Sequence, residues 1–283
     1  MTASKTSSEP FFAWNGELRA RSEGLSVDPL SDGWLYGLGC FETMALEGGK
    51  IRFERDHRTR LEKALAELGL GSPVSWEEAV AALARVAEAN ACREGVGRLS
   101  FHAAPGGTVW MARAFPGGRF AEEGPLDVGR SRFPHPGPSP LSRWKHNNYA
   151  LNLLAFREAL EAGRRETLLV RGDRCVEGAL STLWTVRGGE CATPPLEDGA
   201  LPGVVRGRLL EAGSAAGLDF RERSISLADL ETAEAVFFSN AVMLVRPVVR
   251  IDGREYPARS ETAAKINRFL RSGAAPGESA PSP

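Results

Sequence analysis

Lys145 stands in SRWKHNNYALN, residues 142–152, between a run of prolines and an alanine- and leucine-rich stretch of helical period. Most lysines are solvated surface charges. One that follows Trp144 and precedes His146, Asn147, Asn148 and Tyr149 is a candidate for partial removal from water. Desolvation favours the neutral amine, which is a nucleophile and a base. Glu177, in CVEGALSTLWTV, lies between two apolar strand-like runs. In an exposed turn it is a plain charge, whereas between buried strands a carboxylate needs a cation or hydrogen-bond donors. LPGVVRGRLLE, residues 201–211, places a proline and a glycine at a helix start, where backbone N–H groups and the helix dipole suit a phosphate. The same pair also opens helices that bind nothing. Arg60, in HRTRL, read alone, is a helix-surface charge.

These groups need elements to hold them. FFAWNGELR and GCFETMALEGGKIRFE read as strands joined by glycine turns. RDHRTRLEKALAELGL repeats Leu61, Leu65 and Leu68 on one helical face and stops at Gly69; SWEEAVAALARVAEANA opens on a Ser75 cap ahead of paired acids. GRLSFHAAPGG and GTVWMARAFP supply two more strands, completing an α+β unit near residue 120 and a first domain over 1–129. Four prolines between Pro134 and Pro140 predict a stiff connector over 130–141, because proline lacks the donor that helices and central strands use. The second domain, 142–283, reads as a helix over NYALNLLAFREALEAG, strands ETLLVRG and STLWTVRGGE, a helix from Pro202, and the strand pair in AEAVFFSNAVMLVRPVVRIDG. Small, polar, proline-rich residues at 1–10 and 273–283 predict frayed tails.

Composition narrows the class. With 42% hydrophobic and 25% charged residues and a net charge of -1, the chain has no electrostatic footprint for nucleic acid or an anionic membrane. A small molecule or a second copy of the chain is the expected partner. Cys40, Cys92, Cys175 and Cys191 form no CxxC pair and have no histidine at ligand spacing, which argues against zinc or a disulfide framework. No metal site and a cytoplasmic location are expected, since the N-terminus lacks the pattern of a signal peptide.

In order along the chain, DGWLYGLGCFETM, DHRTRLEKAL, KHNNYALNLLAFREALEAG, CVEGALSTLWTV and TPPLEDGALPGVVRGRLLE resemble the five motifs of the class IV aminotransferases, the fold-type IV enzymes that use pyridoxal 5′-phosphate. The resemblance covers roughly residues 12–255. It implies an α+β, fold-type IV enzyme: a small N-terminal α/β domain, a larger C-terminal domain with a β-barrel-like sheet and flanking helices, and a homodimer with the cofactor in the interdomain cleft. It assigns Lys145 to the cofactor aldehyde and then to proton transfer, and Glu177 to the pyridine nitrogen, where an anion keeps the ring protonated. Arg60 and the N–H groups of Val204 and Val205 would hold the phosphate. Tyr149 would face the phenolate oxygen, and Ser239 and Asn240 the phosphate or substrate.

Members differ in the groups that face the substrate. In FFSNAVMLVRPV, residues 237–248, Asn240, Ala241 and Met243 resemble the lyase branch rather than the aminotransferase branch. KHNNY is spaced as in lyases and D-amino-acid enzymes. The implied chemistry is an elimination that releases pyruvate and leaves an aromatic amine, with transamination of a D-amino acid, a branched-chain amino acid or an amine as the alternative. A non-catalytic relative is the third reading, opposed by the joint presence of Lys145, Glu177 and Arg60. Tyr36, His102 and Met243 are the candidate substrate contacts. His102 departs from the basic residue of many relatives, as do Leu180, Ser181 and Thr182 from a frequent asparagine, and Arg246 is unusual ahead of the PV pair.

Overall fold

The computed structural model describes residues 10–117, 124–213, 219–257 and 261–272. Apart from Pro10, the expected tails lie outside these residues, as does the end of the helix expected from Pro202. The chain divides into two units, residues 1–121 with 144–148, and residues 122–143 with 149–283.

In the first unit, β1 (Phe11–Trp14) and β2 (Glu17–Ala20) form a hairpin across Asn15 and Gly16. α1 (Asp32–Leu35) precedes β3 (Gly39–Glu47), which turns through Gly48 and Gly49 into β4 (Lys50–Ile51). Two helices follow, α2 (Glu54–Glu67) and α3 (Trp76–Ala89), then β5 (Gly95–Ala104) and β6 (Gly107–Phe115). The strands make one antiparallel sheet ordered β2-β1-β6-β5-β3-β4. Strand alternation sends Cys40, Met44 and Leu46 to the face where Leu61 and Leu65 of α2 and Leu83 and Val86 of α3 are buried. The α3 start is a capping box: the Glu78 N–H donates to Ser75 Oγ and the Ser75 N–H donates to the Glu78 carboxylate, worth about 1 kcal/mol.

The second unit begins with β7 (Leu126–Arg130), α4 (Ala150–Glu161), β8 (Glu166–Arg171), β9 (Arg174–Gly178), β10 (Thr182–Arg187) and β11 (Glu190–Thr193). It continues with α5 (Val204–Ala212), β12 (Asp219–Glu222), β13 (Ile225–Ser226), α6 (Leu227–Thr232), β14 (Ala235–Asn240), β15 (Leu244–Ile251), β16 (Arg254–Glu255) and α7 (Glu261–Arg271). Its ten strands form a mixed sheet ordered β12-β11-β10-β14-β15-β7-β8-β9-β13, with β16 against β15. This is the curled half-barrel of an α+β fold. Leu126, Leu168, Leu183, Phe238 and Val248 share one buried core within it.

The unit boundaries differ from the predicted ones in three places. Leu126–Arg130, read as the end of the first domain, pairs in parallel with β8 and β15. The proline segment expected as a stiff connector is tied to the second sheet, with the Ser131 and His135 N–H groups donating to Leu168 and Val170 carbonyls of β8. Residues 144–148, read as the start of the second domain, belong to the first unit. No helix among the described residues is long and apolar enough to cross a membrane.

Candidate active site

Lys145 is placed by backbone pairing. The Phe41 N–H donates to the Lys145 carbonyl at 2.8 Å and the Asn147 N–H donates to the Gly39 carbonyl at 2.9 Å, with a bridge between Cys40 and His146. The segment can lie this close because residue 39 is glycine: a Cβ there would stand 2.2 Å from the Phe101 carbonyl oxygen and 2.3 Å from Asn147 Nδ2. Trp144 packs against the helix-side core. The next residue, Lys145, carries its Nζ 4.6 Å from the centre of the Phe41 ring, which also has the Arg98 guanidinium 3.7 Å from its centre. Both cations thus lie against one aromatic ring, whose face attracts positive charge.

His102 lies beside this segment. Asn147 Nδ2 is 3.1 Å from His102 Nδ1 and donates also to the Phe101 carbonyl at 2.9 Å. A ring nitrogen accepting from an amide carries no proton. Burial, and then the charge of Arg98, hold His102 below the usual histidine value, so it is a neutral group in this setting. Tyr36, at the end of α1, is 69% exposed.

Arg60 has a built partner that the sequence reading passed over. Its Nε and Nη2 donate to the two oxygens of Glu42 at 2.7 Å each, and His57 Nδ1 lies 2.7 Å from Glu42 Oε2. Glu42 and His57 are buried. Burial alone would raise the Glu42 carboxyl, but the Arg60 charge and hydrogen bonds, with those of His57, outweigh it and bring the carboxyl down to about 2. Glu42 therefore fixes the Arg60 guanidinium as a bidentate pair. The signal was available: an acid inside the otherwise apolar GCFETMAL must have a cation to be tolerated.

In the second unit, Glu177 sits on β9 with the Leu201 N–H donating to Oε2 at 3.0 Å and His135 Nε2 at 3.6 Å from Oε1. The turn after it is held from three sides. Asn152 Nδ2 donates to the Ala179 carbonyl, Asn240 Nδ2 to the Leu180 carbonyl, and the buried Glu166 accepts from Ser181 Oγ and the N–H groups of Thr167 and Leu180. Burial pushes the Glu166 carboxyl up to about 7 against these donors. Glu166 and His135 were not singled out from sequence.

Val204 and Val205 open α5 after the extended Gly203. A Cβ on Gly203 would stand 2.8 Å from Thr182 Oγ1, so the helix start is packed onto the hydroxyl of a strand residue that pairs across the ladder with Ser239. Ser239 is buried and its Oγ accepts from Trp184 Nε1 at 2.9 Å. Asn240 Oδ1 accepts the N–H groups of Val242 and Met243 at 2.9 Å, so its side chain shapes a turn. Met243 packs against the half-barrel core. Tyr149 is half-buried at the start of α4. Arg246 Nη1 donates to the Gly124 carbonyl at 2.8 Å, and Leu180, Ser181 and Thr182 belong to the turn and strand just described.

Each unit, taken by itself, holds groups whose chemistry suits part of a phosphorylated pyridine. The first has the Lys145 amine and the Arg60 guanidinium fixed by Glu42. The second has the Glu177 carboxylate, with a backbone donor at one oxygen and an imidazole near the other, and the start of α5 at Gly203. The four cysteines are buried thiols, three of them, Cys40, Cys175 and Cys191, raised to about 12 by burial first. No group of metal-ligating side chains occurs among the described residues.

Comparison with known proteins gives the following. Residues 39–251 match the family described as amino-transferase class IV. An aminodeoxychorismate lyase of Bacillus subtilis (strain 168) is 27% identical over 262 residues, covering 86% of this chain and 88% of the relative. A branched-chain aminotransferase from Thermoproteus uzoniensis, solved with norvaline, superposes with a TM-score of 0.81 at 26% identity, covering 92% of this chain and 93% of that one. A 4-amino-4-deoxychorismate lyase from Pseudomonas aeruginosa superposes with a TM-score of 0.77 at 26% identity, covering 93% and 98%.

Proposed function

The chain belongs to the class IV aminotransferase family, and from that premise we propose that it is a lyase that converts 4-amino-4-deoxychorismate to pyruvate and 4-aminobenzoate, a step of folate synthesis. That it is an enzyme of this family with pyridoxal 5′-phosphate as cofactor follows from membership. The observation that carries the narrower reading is the turn after β14, where Asn240 accepts the N–H groups of Val242 and Met243. These hydrogen bonds give Asn240 and Met243, the residues whose pattern resembles the lyase branch, a defined place in that turn, which supports the lyase reading. Similarity to the two lyases supports it.

The chemistry assigned to the chain's residues is economical. When bound, the cofactor supplies a sink for the electron pair released at the amine-bearing ring carbon. Lys145 Nζ takes the proton from that carbon. The bond from the ring to the enol-ether oxygen breaks, the enol leaves and becomes pyruvate on protonation, and the ring gains its third double bond. Aromatisation drives the reaction forward, so no second keto acid is needed. Glu177 would pair with the pyridine nitrogen and favour its protonated form. Arg60, fixed by Glu42, and the N–H groups of Val204 and Val205 would hold the phosphate, and Ser239 would serve the phosphate or the substrate. Tyr149 would offer its hydroxyl to the phenolate oxygen. Tyr36 and His102 would contact the substrate, His102 as a neutral hydrogen-bonding group. Met243 and Asn240 act through the shape of their turn. A homodimer in the cytoplasm completes the reading.

A second reading, transamination of a D-amino acid, a branched-chain amino acid or an amine, is favoured by the superposition on the branched-chain enzyme. Product analysis over many turnovers separates the two. Release of 4-aminobenzoate and pyruvate in equal amounts without a keto acid supports the lyase. Turnover that requires a keto-acid acceptor supports the aminotransferase.

A further inference from the structure

We propose that His135 is a positioning residue for Glu177, held as the Nε2–H tautomer so that its proton addresses the carboxylate and fixes the anion on the cofactor's ring nitrogen. The inference rests on Glu177 serving as that nitrogen's partner.

His135 lies in the proline-rich segment and is 6% exposed. Its own N–H donates to the Val170 carbonyl at 2.9 Å, which ties the segment to β8. Two residues on, the Gly137 N–H donates to His135 Nδ1 at 3.0 Å. A nitrogen that accepts an N–H bond has its lone pair committed there, so the ring proton resides on Nε2. Nε2 is the nitrogen that faces Glu177, 3.6 Å from Oε1. This is longer than a formed hydrogen bond, so the N–H dipole of the neutral ring orients the carboxylate and the contact closes with a small rotation of either side chain.

The ring cannot drift. Gly199 has φ +103, and a Cβ there would stand 2.8 Å from His135 Cε1 and 2.8 Å from the Gly137 carbonyl. The loop that presses on the ring is the one that, two residues later, sends the Leu201 N–H to Glu177 Oε2 at 3.0 Å. Glu177 is thus addressed at one oxygen by an imidazole N–H and at the other by a backbone N–H, from two segments that pack on each other. Supporting groups of this kind set the orientation and basicity of the group that does the chemistry. The proline segment, in this account, carries a member of the active site and not merely a connection.

The test uses the holoenzyme. Two-dimensional proton–nitrogen correlation of ring-labelled histidine reads the tautomer directly, and with four histidines in the chain the His135 signals are assigned by their loss in His135→Gln. The expected signal is the Nε2–H form. His135→Leu should lower kcat about tenfold with KM changed less than about twofold, and should move the visible cofactor band. His135→Gln, whose amide can donate from a similar position, should recover most of kcat and restore the band. An Nδ1–H tautomer in the folded wild type overturns the proposal, and so does a His135→Leu holoenzyme with unchanged kcat and band. Glu177→Gln is the control: if it leaves band and kcat unchanged, the role of Glu177 fails. If it slows turnover while His135→Leu does not, only the role of His135 fails.

Discussion

On the proposed reading Lys145, whose Nζ stands 4.6 Å from the centre of the Phe41 ring, carries the reaction, while the phosphate is held by other residues, so loss of the amine is separable from loss of the cofactor. Lys145→Ala should reduce turnover more than about a thousandfold while equilibrium dialysis still finds cofactor held through its phosphate. Two buried carboxylates give opposite dependences on pH. Glu166, raised to about 7 from an ordinary 4.5, keeps in the native state a proton that the unfolded chain releases. Its contribution to stability is therefore full below 4.5 and declines as pH rises through about 7. Glu42, lowered to about 2, contributes above 4.5 and loses that contribution as pH falls toward 2. Urea unfolding midpoints at several pH values should show Glu166→Gln flattening the first slope and Glu42→Gln the second. Glu42→Gln should in addition cost about 3 kcal/mol, because it removes the buried negative charge that the Arg60 guanidinium pairs with on both oxygens. Lys145, Glu177 and Arg60 are nominated by motifs contiguous in sequence. Glu42 carries a signal too, an acid in an apolar strand, but that signal does not name its partner 18 residues on. Glu166 and His135 carry none, because what marks each is a partner 15 or 42 residues away.

Elements explain why these side chains arrive where they do. β3 carries the Lys145 segment along one stretch and Glu42 along the same strand, and Gly39 is the point of closest approach. Gly39→Ala should dislodge residues 144–148, since the added methyl meets the Phe101 carbonyl, which cannot yield, and the Asn147 side-chain amide that bonds to that carbonyl. The measurable result is a loss of about 2–4 kcal/mol in stability together with failure to form the visible cofactor band. On the proposed reading Gly203→Ala acts at the phosphate site: the added methyl meets Thr182 Oγ1 and should weaken cofactor affinity about tenfold with little change in the unfolding midpoint. The helices α2, α3 and α4 were readable from period and caps. β7 was not, because a five-residue strand paired in parallel on both sides is defined by neighbours far along the chain and has no turn to announce it. α7 keeps Ala263, Ile266 and Leu270 inward, a helical spacing present in the sequence but lying beyond the recognisable motifs.

For the whole molecule, the α+β class and the half-barrel sheet follow from the order of the motifs, whereas the division into units does not. Proline composition pointed to a linker over 130–141, yet the backbone of that stretch donates into β8. Proline removes a donor only at its own position, and the residues between the prolines still pair. Leu30, Trp34, Leu35 and Tyr36 form an exposed apolar run, larger than a lone exposed leucine would require. The proposed homodimer gives it a use, and light scattering should return twice the chain mass of 30.5 kDa, with Trp34→Glu shifting the mass toward one chain.

The most direct test is made in one cuvette. The purified protein, reconstituted with pyridoxal 5′-phosphate, is given 4-amino-4-deoxychorismate and no keto acid, while the visible band and the appearance of 4-aminobenzoate and pyruvate are followed together. The account predicts a visible band from cofactor bound at Lys145 and equal release of both products over many turnovers. A band without release, with turnover appearing only when a keto acid is added, would contradict the lyase and make the protein an aminotransferase.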